Sequence, residues 1–341
     1  DRKELFICEF ERFGREKIEI MEKKILLTFD YELFLGAKSG SVEKCLIIPT
    51  DMLLNVMERH QTKAIFFIDT TYIMRMSELA NSNTNVKRDL EKIKQQLIRI
   101  VKSGHKIYHH IHPHWIDAQY NEAENQWSLS NDEHYCVETL SAEQRTRIFD
   151  FSVSFLSEIM SSAGVEFDCR GYRAGGLHIE PFASVKNEFA RCGISEDFSS
   201  EAPIENMTES YRFENTTLVP ATNGKFSEYP ISKIRIYGLR KILNGIFFRL
   251  TRNCSMYQKV GDGVPSAPKK ANVQVPHSKF EFTLPISIEL LTPVLLPYYK
   301  KLLKRYSYIH FLSHPKLQSP KTIELFEKFL RYYQTFVSER D

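Results

Sequence analysis

An apolar run closed by two acids, Lys23-Lys24-Ile25-Leu26-Leu27-Thr28-Phe29-Asp30-Tyr31-Glu32, is the strongest constraint this chain places on its own fold. A nearly unbroken apolar run suits a strand buried on both faces, as in a parallel sheet. Side chains alternate along a strand, so Asp30 and Glu32 share one face. Carboxylates at the end of a buried strand are costly unless paired, hydrogen-bonded or bound to metal. Residues 64–69 read as a second such strand, and helical patterns cover 49–59, 86–102, 141–161 and 319–337. Ser141-Ala142-Glu143-Gln144 resembles a capping box, and Ser319-Pro320 suits an N-cap followed by a first helical position. This alternation predicts an α/β chain built on a parallel sheet, open or closed. In such folds chemistry collects at the C-terminal ends of the strands.

A second strand end carries imidazoles. Five histidines, at 105, 109, 110, 112 and 114, crowd the run from Gly104 to Trp115. Histidine is the commonest metal ligand, because its neutral ring offers a lone pair near physiological pH. His110 and His112 would share a strand face with His114 beyond them, and His109 would point the other way. Pro113 should end the strand. Surface histidines or a tag-like run are the plainer alternatives; a tag would sit at a terminus and lack the intervening Ile, Pro and Trp.

Two weaker signals follow. In Arg170-Gly171-Tyr172-Arg173-Ala174-Gly175-Gly176, the paired glycines permit close backbone approach and Arg173 can grip a carboxylate. In Tyr308-Ile309-His310-Phe311-Leu312-Ser313-His314-Pro315, a mostly apolar strand delivers a histidine to its end.

Taken in order, these elements resemble the polysaccharide deacetylase family, the NodB-homology carbohydrate esterases. Thr28-Phe29-Asp30 matches the start of the family's Thr-Phe-Asp-Asp motif, with Asp30 at the catalytic base. His110 and His114 keep the spacing of its two metal-binding histidines. Tyr172-Arg173-Ala174-Gly175-Gly176 is similar to its arginine motif. Leu312-Ser313-His314 is similar to its late Leu-x-His, with His314 at the general acid. The resemblance spans about residues 24–316. It implies a distorted (β/α) barrel, often seven-stranded. Two departures stand out: Tyr31 replaces the family's second, metal-binding Asp, and His112 adds a ligand candidate. Glu32 can substitute for the missing acid, and its role can exchange with that of Asp30. Either His112 or His114 completes the metal set. Asp197 falls where an acid orients a catalytic group in related enzymes, or it serves a turn.

The resemblance implies hydrolysis of the N-acetyl group of a sugar in a bacterial surface polysaccharide or its precursor. A divalent metal, zinc by preference, would sit on His110, His112 or His114 and Glu32 or Asp30. Arg173 would hold Asp30, the base, and His314 would protonate the departing amine. Trp115 offers a flat apolar face for a sugar ring, with Gly175 and Gly176 beside it. Two other functions share these residues: an inactive deacetylase-like domain that binds glycan, and an amidohydrolase acting on a small cyclic amide.

The 341 residues suit one large domain or two small ones, and a net charge of +3 implies no nucleic-acid partner. We expect one barrel domain over 21–341, an insertion at about 233–280, and an N-terminal extension over 1–20. The charge-rich start lacks the apolar core of a signal peptide, and the six cysteines show no paired pattern. Both features favour the cytoplasm. The segment from Gly238 to Arg252 mixes apolar and basic residues. Its plainer reading is a helix packed on the barrel; the alternative is a peripheral contact with a membrane or an anionic glycolipid.

Overall fold

A computed structural model describes residues 24–36, 38–129, 134–177, 179, 182–204, 227–265 and 281–338. The expected extension over 1–20 lies outside them. The acid-terminated run forms β1 (Lys24–Tyr31), followed by α1 (Ile48–Arg59), β2 (Ile65–Asp69), α2 (Thr70–Leu79), α3 (Thr84–Lys102) and β3 (Lys106–Ile111). A small hairpin of β4 (Gln119–Asn121) and β5 (Gln126–Ser128) precedes α4 (Ala142–Ser162), β6 (Gly171–Ala174), α5 (Lys186–Cys192) and β7 (Glu196–Asp197). Then come β8 (Glu201–Pro203), β9 (Ser227–Glu228), β10 (Ile231–Tyr237), α6 (Gly238–Thr251), β11 (Glu281–Pro285), α7 (Leu296–Arg305), β12 (Tyr308–Ser313) and α8 (Pro320–Ser338).

The main sheet has seven strands in the order β12-β1-β2-β3-β6-β7-β9. Every neighbouring pair in it is parallel. Its edges approach one another beyond β9. The Tyr308 hydroxyl donates to the Pro230 carbonyl at 3.3 Å, and the His310 ring meets the Tyr229 carbonyl at 2.9 Å. The result is the distorted, seven-stranded (β/α) barrel. A second sheet, β11-β10-β8, lies beside β12, where the His310 N–H donates to the Ser232 hydroxyl.

Alternation along β1 sorts its side chains between two environments. Phe29 stacks on Phe66 at 5.1 Å, and the Tyr31 hydroxyl donates to Gln96 of α3, both in the helix layer. Thr28, on the other face, reaches Arg173 of β6 inside the barrel. Local signals set the helix ends as expected. Ser141 and Gln144 form a reciprocal capping box on α4, and the Ser319 hydroxyl accepts from the Thr322 N–H at the start of α8. The helix α2, between β2 and α3, was not anticipated.

The helix expected to pack on the barrel meets the rest of the molecule through polar side chains, Asn244 against Thr292 and Arg240 on Tyr298, and not through its apolar stripe. In α6 the one buried residue is polar Asn244, while Leu239, Ile242, Leu243, Ile246 and Leu250 are exposed. No described helix is long and apolar enough to cross a membrane. The five described cysteines are free thiols.

Candidate metal centre with flanking base and acid

Parallel register brings the strand ends level. Asp69 of β2 lies beside His110 of β3, and His110 beside Arg173 of β6. Asp30 and Glu32 come from the end of β1, and His314 from just past β12. All of these residues gather at the C-terminal mouth of the barrel. A cavity of about 350 Å³ opens at the opposite end, lined by Ile25, Ile65 and Gly104 among others, and no candidate site residue reaches it.

Among the described residues, Glu32, His110 and His112 bring one donor atom each within 4.8 Å of one another, all buried. Glu32 Oε2 lies 2.6 Å from His112 Nε2 and 3.3 Å from His110 Nε2, and the two Nε2 atoms are 3.0 Å apart. Two imidazole nitrogens that close, in the absence of water, need a proton or a cation between them. The three separations are near the edge of about 3.3 Å that tetrahedral donors keep around a zinc-sized ion. The donor set of two imidazoles and one carboxylate matches catalytic zinc sites with an open position. These residues therefore fit a divalent cation.

Neighbouring groups fix the donors. The His110 Nδ1–H donates to the Arg173 carbonyl at 2.8 Å, leaving Nε2 as the lone-pair nitrogen. Burial disfavours charge on His110, but the Asp30 and Glu32 carboxylates outweigh it and push the ring up to about 9. This is the signature of a field built for a cation. Burial raises the Glu32 carboxyl, yet Lys316 and the two imidazoles hold it well below the usual carboxylate range. Lys316 itself is buried and donates to Glu32 Oε1 at 2.8 Å and to the Leu33 carbonyl at 2.7 Å. Gly175 explains how His112 fits, because a Cβ there would come within 2.6 Å of its Nδ1.

On one flank, Arg173 is wholly buried. It donates to Asp30 Oδ1 at 2.5 Å, to the Phe198 carbonyl at 3.1 Å and to the Thr28 hydroxyl at 2.9 Å. Its guanidinium lies 4.0 Å from the centre of the Phe67 ring. His310 completes the cradle: its Nε2 accepts from Arg173 at 2.9 Å. Burial and the Arg173 charge hold that ring neutral, well below its ordinary value. Asp30 Oδ2 faces His110 Nε2 at 3.9 Å and His314 Nε2 at 3.8 Å.

On the other flank, His314 Nδ1 pairs with Glu289 Oε1 at 3.0 Å, and its Nε2 lies 3.6 Å from Glu32 Oε1. Burial lowers its pKa, but Glu289, Asp30 and Glu32 together raise it above the ordinary histidine value. The arrangement offers a fixed carboxylate oxygen and a protonatable nitrogen on two sides of the paired imidazoles.

Several expectations divide here. His114 is not in the converging trio; its ring lies 5.7 Å from that of His112 and edge-on to Tyr135 at 5.0 Å. Tyr31 points away into the helix layer, and Glu32 supplies the oxygen in its place. Trp115 is corrected: it is 0% exposed, packs against Tyr72 and Trp127, and donates to Asp69 Oδ2 at 2.6 Å. A ring so enclosed cannot present a face to a sugar. Gly175 is buried as well and packs against His112, so it too is not a substrate contact; Gly176 is exposed, with φ +64°. Asp197 accepts from the Ser199 hydroxyl at 2.7 Å, and Ser199 accepts from the Ala174 N–H, so the acid braces the end of β6. Burial pushes it up to about 7. Lys316, Glu289, His310 and Asp69 escaped the sequence reading. His310 lay inside a recognised motif, Lys316 two residues after one, and Asp69 at the end of a recognised strand; Glu289 lay beside none.

Residues 17–168 match the sequence model of the polysaccharide deacetylase family. No curated protein matches the sequence. Among solved structures, the chain is similar to a protein from Mycobacterium smegmatis assigned as a polysaccharide deacetylase, with 11% identity, 91% of this chain and 82% of that one covered, and a TM-score of 0.44. It is also similar to a family 4 carbohydrate esterase from Streptomyces lividans in complex with acetate, with 10% identity, 92% and 88% covered, and a TM-score of 0.37. The matched segment contains Asp30, Glu32, His110 and His112, while the fold adds Arg173, Glu289, His314 and Lys316 from beyond it. Residues 17–168, a little under half of the chain, are thus similar to the polysaccharide deacetylase family.

Proposed function

We propose that this protein is a metal-dependent deacetylase that hydrolyses the N-acetyl group of a sugar in a glycan or glycan precursor. The observation that carries this reading is the convergence of Glu32 Oε2 with the Nε2 atoms of His110 and His112 beside the Arg173-bound Asp30. Glu32, His110 and His112 would hold the divalent cation, with zinc favoured by the mixed nitrogen and oxygen set. A bound cation would supply Lewis acidity toward water and a carbonyl oxygen.

The chain's own groups would do the rest. Arg173 occupies Asp30 Oδ1, so Oδ2 is left to take the proton of the attacking water. Glu289 orients His314 through Nδ1, so Nε2 presents a proton to the departing amine. An amide nitrogen leaves poorly unless protonated, and a histidine with a raised pKa suits that step. Lys316 neutralises part of the acidic field and pins Glu32.

The test is release of acetate from N-acetylglucosamine oligomers by chelator-stripped protein, with and without added zinc. We expect activity only after zinc is restored, and none from Glu32→Ala. A stripped protein that neither binds zinc nor regains activity, yet still retains the oligomer, would favour the inactive glycan-binding alternative.

A further inference from the structure

The helix α6 is turned inside out for a protein surrounded by water. Its apolar residues Leu239, Ile242, Leu243, Ile246 and Leu250 follow helical spacing and share one face. That face points outward: Leu239 is 69% exposed and Leu250 80%, while the polar Asn244 is buried against Thr292. Contiguous exposed apolar surface of this kind marks an interaction site.

The sequence around α6 is basic, although Lys233 is already paired with Glu201 at 3.0 Å. Between Glu228 and Asp262 the sequence has no Asp or Glu, but it carries Lys233, Arg235, Arg240, Lys241, Arg249, Arg252 and Lys259. At the base of the helix, a cavity of about 290 Å³ is lined, among the described residues, by Arg235, Arg240, Lys301 and Arg305 with Tyr237 and Tyr298. Arg240 is stacked on the Tyr298 ring at 4.0 Å, which fixes one cation at its wall. With 14 residues, α6 is about 21 Å long, too short to span a bilayer but long enough to lie in its interface.

We propose that α6 is an interfacial helix that seats on an anionic lipid surface, with its apolar stripe at the acyl boundary and a lipid phosphate in the adjoining cationic cavity. Charge complementarity selects this occupant. A second copy of the chain would bring the same cations face to face, and a neutral apolar partner would offer Arg249, Arg252, Lys301 and Arg305 no counter-charge. The strap that follows α6 leads to the catalytic mouth: the Gly261 N–H donates to the Lys316 carbonyl, and Lys259 lies 3.9 Å from the centre of the Phe34 ring. A seated helix would therefore tie the mouth to the membrane. None of the α6 or cavity residues belongs to the metal centre, so vesicle binding and deacetylation can fail independently.

The test is co-sedimentation of the full chain, zinc-loaded, with vesicles of phosphatidylcholine alone or mixed with phosphatidylglycerol. Binding is expected only to the mixed vesicles. It should weaken by roughly fivefold for each cation neutralised at Arg249 or Arg252. Leu239→Glu combined with Leu250→Glu should abolish it. A Leu250→Trp reporter should shift its emission to the blue on binding and be quenched by brominated lipid. Retained circular dichroism and zinc content keep misfolding from imitating the loss. Equal binding to both vesicles, binding to neither, or concentration-dependent dimerisation relieved by Leu250→Glu would overturn the proposal.

Discussion

At the scale of single residues, the candidate site is built from contacting pairs: Asp30 with Arg173, His314 with Glu289, Glu32 with Lys316. His314→Ala should retain the cation while kcat falls by about 10²–10⁴-fold. Joint loss of zinc and turnover would make His314 a ligand instead. The buried Trp115 makes the opposite kind of prediction. Trp115→Phe deprives Asp69 Oδ2 of its donor and should cost about 1–3 kcal/mol of stability, read by urea unfolding, with KM for the acetylated sugar unchanged. A raised KM at unchanged stability would restore the sugar-platform role. The error over Trp115 has a physical origin. An indole suits either a sugar face or a core, and the acid that decides the matter lies 46 positions away in the sequence.

At the scale of elements, β3 carries histidines with opposite duties. His110 and His112 face the barrel mouth. His109 is buried on the other face, where Ser152 of α4 and the Cys169 carbonyl meet its two nitrogens. His105 accepts from the Ala64 N–H at the start of the strand. Burial holds His105 and His109 each down to about 4. The unfolded chain, with ordinary rings near 6.5, takes up protons first as pH falls. The stability these rings contribute is complete above about 6.5 and is lost progressively as pH falls toward 4. Urea midpoints measured across that window should fall less steeply for His105→Asn than for the parent; parallel curves would contradict the assignment. The strand ends were legible because burial on both faces and the period of two leave few alternatives for Ile25–Glu32 and Lys106–His112. The sequence pattern failed at Glu289, which lies on an irregular connection before α7, and at α6, whose helical spacing does not say which way the apolar face points.

At the scale of the whole molecule, the barrel joins residues far apart in sequence: β1 and β12 lie side by side, so Asp30 meets His314 across the seam. The arginine of β6 then spans the interior to Thr28 and Asp30. This closure is why motifs from opposite ends of the chain meet at one mouth of the barrel. The most direct measurement is X-ray absorption at the zinc edge of the loaded protein, compared with His112→Ala and His114→Ala. We predict a shell of two imidazoles and one carboxylate at about 2.0–2.2 Å, unchanged in His114→Ala and degraded in His112→Ala. No specifically bound zinc, or a shell that loses an imidazole in His114→Ala but not in His112→Ala, would contradict it.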